Sequence, residues 1–199
     1  MNKPHPILMS APMVLAILEG RKTQTRRVMK PQPVHYPDAD VGWWGPDGFV
    51  DVHECACPYG YPGDVLYVKE ALRRHHGSPF DGGTYCADLT PVIGDDAHKC
   101  LGRSVWQWQR DYLPGMFCPR WASRITLEIT DISAERLQDI SPEDAIAEGV
   151  ECPYTTPSEC EEPSEAIYEY MRIWDYLNAK RGYSWQSNAW VWAITFRRI

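Results

Sequence analysis

Apolar and polar side chains alternate without a break along Arg124-Ile125-Thr126-Leu127-Glu128-Ile129-Thr130. That is the two-residue period of a strand with one buried face. The closing run Trp190-Val191-Trp192-Ala193-Ile194-Thr195-Phe196 reads as another strand, with Trp190, Trp192, Ile194 and Phe196 on one face. Val65-Leu66-Tyr67-Val68-Lys69-Glu70 is mostly apolar and opens after Gly63-Asp64, the mark of a buried strand bounded by a turn. Elsewhere the period is helical. Met13, Val14, Ile17 and Leu18 follow Ser10 as a cap and Pro12 in the first turn, and Gly20 stops the helix. Ser141-Pro142-Glu143-Asp144 opens a second short helix with a cap, a first-turn proline and an acid at the third helical position. It carries Glu148 at its end, before Gly149. Ile167, Tyr170, Met171, Trp174 and Leu177 set a third helix over Ala166 to Asn178.

Between these segments the pattern is lost. Residues 28–60 hold Pro31, Pro33, Pro37, Gly42, Gly45, Pro46, Gly48 and Pro58 around Trp43-Trp44, and read as a long ordered loop or insertion with little helix. Residues 71–120 return to irregular composition and read as a second insertion holding one short helix or hairpin. The acidic, proline-dotted stretch 151–165 reads as a solvated loop.

Charge and composition narrow the function. Among 199 residues, 20 Lys and Arg face 27 Asp and Glu, a net charge of −7. A protein that coats nucleic acid through bulk positive charge is excluded, so any nucleic-acid contact is local. Hydrophobic residues at 44%, with nine Trp and eleven Tyr, are enough for a packed core. No run reaches the roughly 20 apolar residues a membrane span needs, and the start lacks the apolar region of a secretory signal. A soluble, cytoplasmic protein is expected. Seven cysteines, an odd count at irregular spacing, fit reduced thiols. His53, Cys55, Cys57 and Cys118, with Cys152 and Cys160 elsewhere, are zinc candidates whose spacing is not diagnostic, so the expectation is free thiols and no cofactor. Phosphate-cradling glycine loops, dinucleotide fingerprints, zincin helices and the zinc deaminase signature are all missing.

The strongest chemistry lies in Lys22, Thr25 and Glu148. A threonine hydroxyl needs a neighbouring base to act as a nucleophile, and an ordinary lysine stays protonated. Arg21, Arg26 and Arg27 crowd Lys22 with positive charge, and burial also favours its neutral form. Glu148 sits at a helix C-terminus, where the dipole disfavours a carboxylate and suits a proton donor. Residues 22 and 25 point to opposite faces of a straight strand, so joint action requires Lys22 to sit in the turn before the strand. The plain alternative is a solvated basic face, a strand threonine and a carboxylate that pairs with one of the bases.

Gly20-Arg21-Lys22-Thr23-Gln24-Thr25-Arg26-Arg27, Pro62 to Glu70, the block from Trp121 to Glu148-Gly149-Val150, and Asn188 to Phe196 resemble the ASCH-domain family. The chain is most similar to ASCH-domain proteins of enterobacterial tailed phages and prophages. The resemblance implies one domain over 1–199, with core segments 6–27, 61–70, 121–150 and 168–199. Insertions fill 28–60 and 71–120, and an acidic loop fills 151–167. It implies an α+β fold, a PUA-like small β-barrel with short flanking helices and a cleft that takes RNA or a modified nucleoside. Small members of the family deacetylate N4-acetylcytidine. Carried over, Lys22 would be the base, Thr25 the nucleophile and Glu148 the acid of an amidohydrolase, and the resemblance bears on the fold more than on the reaction. Two further readings stay open, a noncatalytic RNA-binding module of phage origin and a metal-independent ribonuclease. In all three, Arg21, Arg26, Arg27 and Arg124 are candidates to meet phosphates, and Trp43, Trp44 and Tyr67 to stack on bases.

Overall fold

The computed structural model describes residues 4–36, 39–45, 48–51, 56–76, 82–92, 99–100, 103–104, 106, 108–150 and 164–199. In chain order its strands are β1 (His5–Leu8), β2 (Gln24–Val28), β3 (Val34–Tyr36), β4 (Ala39–Gly45), β5 (Gly48–Asp51), β6 (Val65–Lys69) and β7 (Leu72–His75). They continue with β8 (Gly82–Tyr85), β9 (Lys99–Cys100), β10 (Arg103–Ser104), β11 (Tyr112–Leu113), β12 (Thr126–Arg136) and β13 (Trp190–Arg198). The helices are α1 (Ala11–Leu18), α2 (Pro142–Ala147) and α3 (Ser164–Asn178). The chain is thus mixed α+β and rich in strand. No ladder among the described residues closes into a barrel. The chain divides into two compact units, residues 1–19, 64–128 and 198–199, and residues 20–63 with 129–197.

In the first unit β1 runs parallel to β6, from His5 opposite Leu66 to Leu8 opposite Lys69. The start of β12 lies antiparallel on the other side, with Thr126 opposite Tyr67. Leu66, Val68 and Leu127 are fully buried, as the apolar run at 65–70 requires. Ser10 has the extended backbone of a cap before α1, but its side chain makes no capping hydrogen bond; Pro12 holds the first turn. Residues 71–120 are more regular than their composition suggests. Strand β7 pairs antiparallel with β8 and with β11. They pack around Leu72, Tyr85, Val92, Trp106, Leu113, Cys118 and Ala122. Trp108 joins Trp106 edge-on at 4.9 Å and stacks with Trp121 at 6.1 Å. These apolar residues occur singly along the chain, so no period announces them.

In the second unit β13 lies between β2 and β12. Its pairing with β2 is antiparallel, from Val191 opposite Val28 to Thr195 opposite Gln24. Sequence alternation predicts one buried face for this strand, yet Val191 and Ala193 are as buried as Trp192 and Ile194. The second face is covered because Val191 joins a core of Leu137, Ile140, Ala145, Val150, Ala166, Tyr170 and Trp174, drawn from the end of β12, α2 and α3. Helix α2 has a complete capping box: the Ser141 hydroxyl accepts from Asp144 N at 3.1 Å and the Asp144 carboxylate accepts from Ser141 N. Gly149, at φ +87°, turns the chain out of the helix. Strand β12 runs to Arg136, beyond the alternating segment, and α3 starts at Ser164. The described part of 28–60 is a meander rather than a loop. Strand β4 pairs with β3 and β5, with Trp43 opposite Val50 and Trp44 opposite Phe49. Val34, Tyr36, Val41, Phe49 and Val50 are strand formers, and their preference outweighs the glycines between them.

Candidate functional site

Arg21, Lys22 and Thr23 link the turn at Glu19–Gly20 to the start of β2, and all three bind the C-terminal carbonyls of α2 or the residues just after it. Thr23 N donates to Ala147 O at 2.8 Å, Lys22 Nζ to Glu148 O at 2.7 Å and Arg21 Nη1 to Gly149 O at 3.3 Å. A helix C-terminus leaves carbonyls without partners and a partial negative charge, so cationic donors are suited to it. Lys22 therefore sits just after the turn and ahead of the strand, so the opposite-face constraint of a straight strand does not apply to it and Thr25.

The remaining hydrogens of the Lys22 ammonium go to Gln24 O at 2.8 Å and Glu148 Oε2 at 2.7 Å. Lys22 and Glu148 are 126 residues apart in sequence, and their side chains are 0% and 4% exposed. The other oxygen of Glu148 accepts from Arg26 N at 2.5 Å and from the Tyr170 hydroxyl at 3.4 Å. The Arg26 guanidinium is fully buried, with Nη2 at 2.6 Å from Glu135 Oε1 and 3.0 Å from Asp144 Oδ2. Its Nη1 donates to Gln24 Oε1 and lies 3.6 Å from Glu148 Oε1. Two cations thus face three carboxylates. Thr25 is buried on β2 opposite Ile194, but all three hydrogens of Lys22 Nζ go to other acceptors.

Burial sets the acidities here. It pushes the Lys22 ammonium below the ordinary lysine value, with help from Arg27 and Arg26 and against the pull of the Glu148 carboxylate. Burial opposes the charge of Arg26 as well, but Glu135, Glu148 and Asp144 outweigh it and hold the guanidinium charged. Burial also raises Glu135 against the pull of Arg26. Tyr170 is pushed far above the ordinary phenol value by burial and by Glu148, so it stays a neutral donor. Moving one proton across the 2.7 Å contact from Lys22 Nζ to Glu148 Oε2 turns an ion pair into a neutral amine and a carboxylic acid. That is one base and one acid side by side.

The candidate contacts to nucleic acid are placed differently. Arg21 is exposed beside Gly149, and Arg27 is half-buried on β2. Arg26 is enclosed by carboxylates. In the first unit the Arg124 guanidinium lies 3.8 Å over the Tyr85 ring. It grips the buried Glu70 carboxylate with two hydrogen bonds of 2.9 and 3.0 Å and donates to Asp88 at 2.7 Å. One face of Tyr67 carries the Arg120 guanidinium at 4.7 Å. Trp43 and Trp44 are neighbours on β4, and their side chains lie outside the described residues. So do His53, Cys55, Cys152 and Cys160, whereas Cys57 and Cys118 are buried. No group of three or more metal-ligating side chains occurs among the described residues, and no described helix is long and apolar enough to cross a membrane.

Sequence reasoning does not single out Glu135, Asp144 or Tyr170. Asp144 is visible only as a capping residue and Tyr170 only as a core position of α3. Glu135 follows the alternating run without a distinguishing feature. Compared with family models, with curated proteins and with solved structures, the chain finds no match in any of the three.

Proposed function

We propose that this protein is an ASCH-type, PUA-like protein that binds RNA or a modified nucleoside and hydrolyses the amide of an N4-acylated cytidine. The observation that carries the reading is the buried contact of 2.7 Å between Lys22 Nζ and Glu148 Oε2, two residues ahead of the strand that holds Thr25. Proton transfer across that contact leaves Lys22 neutral. Lys22 then releases one of its backbone acceptors and takes the Thr25 proton, while the Thr25 oxygen attacks the acyl carbonyl. The carbon–nitrogen bond breaks as Glu148 returns its proton to the leaving N4 amine. Water, deprotonated by the pair, then frees the acyl group from Thr25 as the carboxylic acid.

The test is release of cytidine from N4-acetylcytidine. Wild type turns it over, and Lys22→Ala, Thr25→Ala and Glu148→Gln each lose about 10²- to 10⁴-fold, the range for a removed acid–base group. The rate of wild type falls as the pH rises through the titration of Lys22, below the ordinary lysine range, because the pair then no longer holds the proton that Glu148 delivers to the leaving amine. No turnover by wild type, or a Lys22→Ala protein as fast as wild type, ends the reading. The complete engagement of Lys22 and Glu148 within the protein favours the second reading, an RNA-binding module without catalysis, which the same assay separates from the first.

A further inference from the structure

Strand β2 ends its sheet order, so among the described residues one of its edges has no strand beside it. Its register with β13 shows which backbone groups face that edge. Phe196 N donates to Thr23 O at 2.8 Å and Met29 N to Trp190 O at 3.0 Å, at the two ends of the ladder. In an antiparallel pair such exchanges recur at every second residue. Thr25 and Arg27 therefore turn their amides toward Ile194 and Trp192, their register partners. Gln24 and Arg26 turn theirs outward. An exposed strand edge of this kind recruits other strands, and proteins cover or block it.

One outward group of each residue, the Gln24 carbonyl and the Arg26 amide, is taken by one side-chain pair. Gln24 O accepts from Lys22 Nζ at 2.8 Å, and Arg26 N donates to Glu148 Oε1 at 2.5 Å. The contact between Nζ and Oε2 closes the ring. A carboxylate supplies the acceptor and an ammonium the donor that a neighbouring peptide would have offered. The end of the same ladder is finished in a similar way, since the Gln32 amide donates to Met29 O at 2.7 Å and accepts from Trp190 N at 2.8 Å.

From this geometry we infer that the Lys22–Glu148 pair acts as a surrogate strand, which closes the outer edge of β2 and keeps it from pairing with the β2 edge of a second copy of this chain. The role is independent of any reaction at the pair. It explains why two ionised groups are held so completely inside the protein.

Hydrogen exchange at single amides tests it. In wild type the Arg26 amide, which has no strand partner, is protected as strongly as those of Thr25 and Arg27. In Glu148→Ala the Arg26 amide loses at least about tenfold in protection while Thr25 and Arg27 keep theirs, and light scattering finds a larger mass that grows with concentration. Glu148→Gln, which retains an acceptor oxygen, restores protection at Arg26 and the wild-type mass. Fast exchange at Arg26 in wild type overturns the proposal without any variant. A loss shared equally by the three amides, or a Glu148→Ala protein that keeps the wild-type mass, overturns it too. None of these readings involves turnover, so they stand or fall apart from the amidohydrolase assay.

Discussion

Lys22 and Glu148 illustrate how a buried ion pair differs from a surface one. Charges taken out of water lose hydration that their mutual attraction only partly returns, so the pair adds little net stability over a well-packed apolar pair. Breaking it by half is another matter, because the remaining charge stays buried without a partner. Lys22→Met and Glu148→Leu each should cost about 3–5 kcal/mol, the usual range for removing one partner. The double variant should cost well below the sum. Urea unfolding of the four proteins measures this, and additive losses would show that the two side chains do not act as a pair. The same logic applies to Arg26, which basic composition marks as a phosphate ligand and the fold encloses with Glu135 and Asp144.

At the scale of elements, the turn after β8 is tied down by a comparable but more exposed network. Thr90 donates to Asp88 Oδ1 through both its amide and its hydroxyl, at 3.1 and 2.7 Å, and Leu89 between them adopts φ +62°. Arg124 reaches across to Asp88 Oδ2 at 2.7 Å. Partial burial alone would raise the pKa of Asp88, but the bonds from Arg124 and Thr90 and the Arg124 charge hold it down at about 2. A depressed carboxylate contributes stability above its unfolded value, about 3.9, and loses it as the pH falls through the folded one. Between pH 5 and 2 the urea midpoint of wild type should therefore fall further than that of Asp88→Asn. Parallel acid profiles for the two proteins would remove the turn from the acid response. The elements themselves are largely legible in sequence. The capping box of α2, the stop at Gly149 and the start of β2 all follow from local chemistry. The meander of β3 to β5 is not, because its strand formers are interrupted by glycine and proline every few residues.

For the whole molecule the governing quantity is the net charge of −7. It repels a polyanion everywhere except at a local cationic face, and Arg26 and Arg124 are engaged by carboxylates. On the proposed reading, single-stranded RNA bound through Arg21 and Arg27 should displace about two counterions, which corresponds to a slope of about −1.4 for log affinity against log salt. Arg21→Ala should flatten it, and Arg26→Ala should lower stability and leave the slope in place. A slope near −6 would instead require a basic surface that this composition does not provide. Strand and helix periods and the capping box of α2 could be read from the chain alone, since each depends on neighbours within a few positions. The closure of the β2 edge, the enclosure of Arg26 and the contact of Lys22 with a glutamate 126 residues away could not. They arise when a turn, a strand edge and a helix end pack against one another, and burial then alters acidities that composition leaves at their ordinary values.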